Sequence, residues 1–347
     1  CIELYGGVAR ASEMSNNTRV TTFMSRSLPH LAGLMKFYAE ELSICESLLR
    51  LFRDYAEQFI VALEQDDCVA LFAASAELLK SYSSSHCSKS RVVKSSIEEE
   101  QDYNDVLSAI QLLIHLSTKD FLDISFGYKN SAAVSDQVTN VVFFGLQQVL
   151  PLMTQGLMQF PALCTQFFYL VGSMVDSYVE KVCALNDELF QALLDAILFG
   201  MSHSDSSVSK SSLRAIADLT KEQIKSRALD NHLRLHPDLF VKCNKKLLQD
   251  VIFQPLVWDR LENCSTALLP LVAVDMNGFA ALVTQMCEQL ETSEKRQRLQ
   301  MAFQELIKPE VVTKVVAKGN EGRLNRLQFK KEFGIFVKNV HSFLMVK

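Results

Sequence analysis

Apolar residues recur three and four positions apart in segment after segment of this chain, the spacing of one face of an α-helix. The stretch from Leu163 to Val182 shows it most clearly. Leu163, Phe167, Leu170, Val171, Met174, Tyr178 and Val182 form one face, and Gln166, Tyr169, Ser173, Asp176 and Glu180 form a narrower polar one. The same period predicts further helices over residues 28–40, 44–63, 68–83, 104–118, 134–156, 187–201, 207–226, 238–253, 261–290 with a break, 293–307 and 323–346. No stretch alternates apolar and polar residues as a half-buried strand would. Asn186 and Asp205 stand where a side-chain oxygen can cap the first free N–H groups of a helix, and Pro161, Pro237 and Pro309 stand at helix starts, where a missing N–H costs little.

Taken every second one, these helices begin near residues 44, 104, 162, 207 and 261, a period of roughly 45–60 residues against about 40–47 for HEAT units. The best single match to such a unit is Asp205 to Leu219, in which Asp205 caps and Val208, Leu213, Ile216 and Leu219 point inward. The predicted fold is therefore all-α, a right-handed α-solenoid of HEAT-type antiparallel helix pairs in which each pair packs on its neighbours. One array is expected over residues 1–347, closed by a terminal capping helix over 323–347. Residues 81–102 break the rhythm with eight serines, the cations Lys89, Arg91 and Lys94, and then Glu98, Glu99 and Glu100, and are expected to form a mobile, solvated loop.

Composition supports long helices. The 347 residues include only 12 glycines and 7 prolines, while 48% are hydrophobic, enough to build a sizeable core. The longest apolar run, Ala267 to Val274, is far shorter than the roughly 20 residues that cross a bilayer, so no membrane insertion is expected. The amino end lacks both a basic–apolar leader pattern and an initiator Met, which leads us to expect a piece of a longer array. The nine cysteines are scattered without a Cys-x-x-Cys pair and read as buried free thiols of a reducing compartment. The net charge of −5 hides an asymmetry. Residues 291–347 carry 12 basic and 6 acidic groups, leaving 23 and 34 before them, so the first 290 residues stand at −11. Such an acidic body repels nucleic acid and suits a basic protein partner.

Signatures of catalysis and nucleotide binding are missing: there is no Gly-x-Ser-x-Gly, Walker loop or Gly-x-Gly-x-x-Gly, and none of the seven histidines sits in a catalytic motif. His232 and His236, with Cys243 seven residues on, have a spacing that could present two imidazoles to a metal, but the ligand set is incomplete. Gly319 to Gly322 reads as a turn before the last helix. No catalytic residue, metal or cofactor is therefore assigned.

Charge stripes on the helices remain. Asp54 with Glu57, Asp176 with Glu180, and Asp218 with Glu222 are each expected on an exposed stripe, either as ordinary solvated surface or as an acidic inner wall that attracts a basic cargo. Arg323, Arg326, Lys330 and Lys331 are candidate contacts to an acidic partner. In the final helix Leu324, Leu327, Phe333, Phe336, Val337, Val340, Phe343 and Leu344 are expected to share the buried side.

The segments Phe144 to Met153, Phe160 to Val171 and Tyr178 to Val182, supported by Leu116 to Asp123, Glu188 to Asp195 and Gly319 to Phe333, resemble the exportin branch of the importin-β (karyopherin) family over nearly the whole chain. These are packing patterns and carry no catalytic group. The resemblance implies a monomeric transport receptor that shuttles between nucleus and cytoplasm. It would bind protein cargo together with Ran-GTP, touch nucleoporin Phe-Gly repeats in the pore, and grip Ran mainly through repeats amino-terminal to those matched. Within the branch, the likeness is to a receptor whose cargo includes a hypusine-bearing translation factor and Smad proteins. The same architecture would also serve a HEAT scaffold or regulatory subunit working without Ran.

Overall fold

The computed structural model describes residues 2–11, 17–86, 103–125, 132–153, 156–254, 258–315 and 319–345. Among these residues all regular structure is helical, and the fold is an all-α solenoid. The chain divides into two compact units, Cys1–Leu170 and Val171–Lys347.

The first unit contains α1 (Ile2–Ala11), α2 (Asn17–Phe37), α3 (Leu42–Phe59), α4 (Gln65–His86), α5 (Asn104–Ser125) and α6 (Ala132–Val149), then two 3-10 turns, Leu150–Leu152 and Leu157–Gln159, and the start of α7 (Pro161–Cys183). Packing skips one helix at a time. In one series α1 lies on α3 and α3 on α5, and in the other α2 lies on α4 and α4 on α6, each more extensively than α3 meets α2 or α4. A stack of helix pairs produces this pattern, because each helix lies beside its equivalent in the next pair. The spacing of apolar residues makes it possible: Cys45, Leu48, Leu49, Phe52, Tyr55, Ala56 and Phe59 of α3 are all buried. Each large apolar side chain buried in this way contributes about 1.5–3 kcal/mol.

The expected loop over 81–102 begins later than the sequence pattern suggested, since α4 runs on through His86 and buries Ser81 and Ser83. Ser83, Ser84 and Ser85 stay helical by turning their hydroxyls back on the helix. Ser83 and Ser84 donate to the carbonyls of Lys80 and Ser81, and Ser85 donates to that of Ser81. The remainder of that expected loop, 87–102, lies outside the described residues. On its two sides, the Tyr82 hydroxyl donates to the buried Asp105 carboxylate at 2.6 Å, tying α4 to α5.

The second unit holds the rest of α7, then α8 (Asp187–Met201), α9 (Ser206–Ser226), α10 (Asp230–Leu235), α11 (Leu239–Phe253), α12 (Trp258–Val274), α13 (Met276–Glu288), α14 (Ser293–Leu306), α15 (Pro309–Thr313) and α16 (Gly319–Leu344). The caps expected from the sequence are present. Asn186 accepts from the Leu189 N–H at 2.9 Å, and Asp205 accepts from Ser207 and Val208. Val208, Leu213, Ile216 and Leu219 are buried as the HEAT match required, and α9 packs along α12, its equivalent in the next pair. The expected break within 261–290 falls at Asp275, where the axis turns by 114° and Asp275 caps α13 through the Gly278 N–H. Among the described residues no single helix is long and apolar enough to cross a membrane.

The last helix does not turn as its apolar residues suggested. It packs on α14, α12 and α11 through Phe329, Phe333, Phe336, Val337, Val340 and Phe343, while Leu324 and Leu327 face out, 65% and 52% exposed. The reason is phase. The buried set recurs at 3.5-residue spacing from Gly322, and Leu324 and Leu327 lie off that stripe. Residues Gly319 to Gly322, expected as a turn, form the helix's first turn, with Gly319 alone at positive φ (70°).

Candidate functional site

The six acidic positions separate sharply once the helices are packed. In the first unit, Asp54 on α3 is only 2% exposed. It accepts from Arg10 Nη1 of α1 at 2.5 Å, and Arg53 donates to it from Nη2 at 2.6 Å and from Nε at 2.9 Å, with Arg53 Nη1 continuing to Gln111 of α5. The expectation of an exposed Asp54 is corrected: its carboxylate fastens three helices together. Burying a charge is tolerable only when it is paired and hydrogen-bonded, which the two guanidinium groups achieve. Glu57, one turn on, is exposed.

In the second unit, Asp176 and Glu180 of α7 are exposed, Asp218 of α9 is half-buried, and Glu222 is buried at 6% exposure, a second correction to the expected stripe. Lysines one turn on accompany α9's carboxylates. Lys221 donates to Asp218 at 2.8 Å, and Lys225 reaches Glu222 at 3.2 Å and Glu180 at 3.7 Å. The Ser226 hydroxyl and then the Lys225 ammonium hold the Glu222 carboxyl below its ordinary range. Four carboxylates are thus offset by two ammonium groups, leaving a mixed ladder whose exposed acidic members are Asp176 and Glu180.

His232 and His236 turn onto one carboxylate. Asp187 at the start of α8 lies 3.1 Å from His236 Nε2 and 3.4 Å from His232 Nδ1. His232 Nε2 contacts the Cys183 carbonyl at 3.1 Å, and its ring stacks on Phe190 at 3.9 Å between centroids. Hydrogen bonds from His236 and then His232 hold the Asp187 carboxyl below its ordinary range. Cys243 is buried within α11, away from this knot, and among the described residues no three His, Cys, Asp or Glu side chains converge as a metal site would need. The cluster latches α10 to α7 and α8. The thiols of Cys183, Cys243 and Cys264 are pushed up to about 12 by burial, which leaves them poor nucleophiles.

The basic positions behave differently from the acidic ones. Arg323, Arg326, Lys330 and Lys331 are all exposed on α16. Lys330 pairs with Glu262 of α12 at 2.7 Å, whereas Arg323, Arg326 and Lys331 make no ion pair among the described residues. Beside these cations stand Leu324 and Leu327, expected buried but exposed, and Ile335, which pattern reading did not single out and which is 60% exposed. Beside them α12 and α16 enclose an open cleft of about 580 Å³, lined by Leu261, Glu262, Leu327, Lys331, Gly334 and Ile335 among others. The signal that could have found this face was the 3.5-residue phase of the phenylalanines, which leaves Leu324 and Leu327 outside.

The protein-family model described as Exportin-4 matches residues 10–347, all but the first nine positions of the chain.

Proposed function

The chain belongs to the Exportin-4 family of nuclear transport receptors, and on that premise we propose that it carries protein cargo out of the nucleus in a complex with Ran-GTP. A family of this kind works by binding and release, so no bond of the cargo is made or broken. The observation supporting the reading is the two-series stack of α1–α3–α5 and α2–α4–α6 under a family match spanning 10–347. Because each pair touches only its neighbours, such a stack can flex along its length, and a ligand gripping one part alters the surface offered to another.

In this reading the exposed carboxylates Glu57, Asp176 and Glu180 belong to the cargo-facing charge, and a basic side chain such as hypusine on a translation factor is their complement; Smad proteins are further cargo. Asp54 and Glu222 act from inside by holding helices in place. Passage through the pore rests on nucleoporin Phe-Gly repeats, and the receptor acts as a monomer shuttling between nucleus and cytoplasm. The test is a pull-down with the full-length protein, using Ran loaded with a non-hydrolysable GTP analogue or with GDP. Cargo recovered several-fold better with the GTP form supports export. Equal recovery would overturn it and favour a scaffold independent of Ran.

A further inference from the structure

The outer face of α16 has the chemistry of a receptor for one class of ligand. Arg323, Leu324, Leu327, Lys331, Gly334, Ile335 and Lys338 follow one another at spacings of one, three and four, so they share a side of the helix. The opposite side is buried. The helix is held from several directions: His341 Nε2 lies 2.8 Å from the Val251 carbonyl, Asn325 donates to the Val311 carbonyl at 2.9 Å, Lys308 pairs with Glu332, and Arg298 stacks over Phe343. Its outer face is therefore presented rigidly, and ordering it on binding costs little.

Gly334 adds an independent observation. Glycine inside a helix is destabilising by about 0.5–1 kcal/mol relative to alanine, and packing does not require it here, since a Cβ at this position would meet only Leu261 Cδ2 at an ordinary 3.7 Å. Its effect is on the cleft: the missing side chain leaves the floor open between Leu261 of α12 and Ile335 of α16.

We propose that the α12–α16 cleft binds an acidic amphipathic helix of a partner protein. Leu327 to Ile335 spans about 12 Å, a little over two helical turns, which matches an apolar stripe at i, i+3/i+4 and i+7 on the incoming segment. Its aliphatic side chains seat on Leu327, Ile335 and Leu261 over Gly334. Its carboxylates pair with Lys331 and Arg323. Charge complementarity selects the acidic sequence, and the exposed apolar residues separate this surface from one built for a polyanion, which would leave them uncovered. The inference does not depend on the export reading.

The test is fluorescence anisotropy on the full-length protein with a labelled 18-residue peptide carrying Leu at i, i+3, i+4 and i+7 and Glu elsewhere. A scrambled peptide of the same composition, a single-stranded oligonucleotide and phosphatidylserine-containing vesicles are the comparison arms. The expected result is saturable binding of the amphipathic peptide, at least tenfold weaker in Leu327→Ser/Ile335→Ser and in Arg323→Glu/Lys331→Glu, with circular dichroism and melting temperature unchanged. Equal binding of the scrambled peptide, affinity unmoved by either double variant, or preference for the oligonucleotide or vesicles would each overturn the proposal.

Discussion

The acidic positions of α3 and α9 and the basic positions of α16 look alike in sequence, each a set of like charges one turn apart on an amphipathic helix. Their fates differ. Asp54 is enclosed by Arg10 and Arg53, and Asp218 and Glu222 are answered by Lys221 and Lys225, so little of that charge is left to act at a distance. Arg323 and Lys331 of α16 are exposed, and aliphatic side chains stand between them. A charge within reach of an opposite charge, on its own helix or a neighbour, serves the fold, and one surrounded by solvent and exposed leucines is available to a partner.

The contrast is sharpest at Asp54. Asp54→Asn leaves Arg53 part-buried without its counter-charge and should cost about 3 kcal/mol, the lower end for a broken buried pair because Arg10 is itself half in water; urea denaturation gives the number. The neighbouring Glu57→Gln should stay within about 0.5 kcal/mol. Equal effects would erase the distinction between inward and outward carboxylates.

Acid tests the latch next. The Asp187 carboxyl is held below its ordinary value by His236 and then His232, so its contribution is fully present above the unfolded carboxylate value near 3.9 and is lost as pH falls through the lower folded value. Asp205 and Glu222, also depressed, add in the same direction. Thermal melts of Asp187→Asn across pH 6 to 2.5 should therefore show a shallower acid limb than the parent chain, with the gap closing at the lowest pH. A constant offset at every pH would remove the carboxylate from that role.

Smaller effects belong to α16. Gly334→Ala should raise stability by about 0.5–1 kcal/mol through helix propensity alone, and a loss would mean that α12 needs the bare backbone. Leu327→Ser/Ile335→Ser should move stability by no more than about 0.5 kcal/mol, as for other exposed positions. Destabilisation well beyond that would show these residues to be core.

Much of the fold was legible because local signals and packing agree. The caps at Asn186 and Asp205, the inward residues of α9 and the break at Asp275 each follow from a few neighbouring residues. Short elements escaped: α1 contains Gly6 and Gly7, and α10 and α15 are six and five residues long, too brief for a 3.6-residue period to declare itself. The candidate surfaces were harder to read. Nothing near Asp54 in sequence announces Arg10, 44 residues earlier, and Leu324 and Leu327 are indistinguishable from core leucines until the phase of Phe329, Phe333 and Phe336 is fixed against α14. Exposure is set by tertiary partners, which periodicity does not name.

The proposal that the receptor binds cargo and Ran-GTP cooperatively is tested most directly by calorimetry on the full-length protein. The affinity for cargo should rise in the presence of Ran-GTP by the same factor by which the affinity for Ran-GTP rises in the presence of cargo, a coupling of about 1–3 kcal/mol. Two affinities that ignore each other, with a factor of one in both directions, would contradict it.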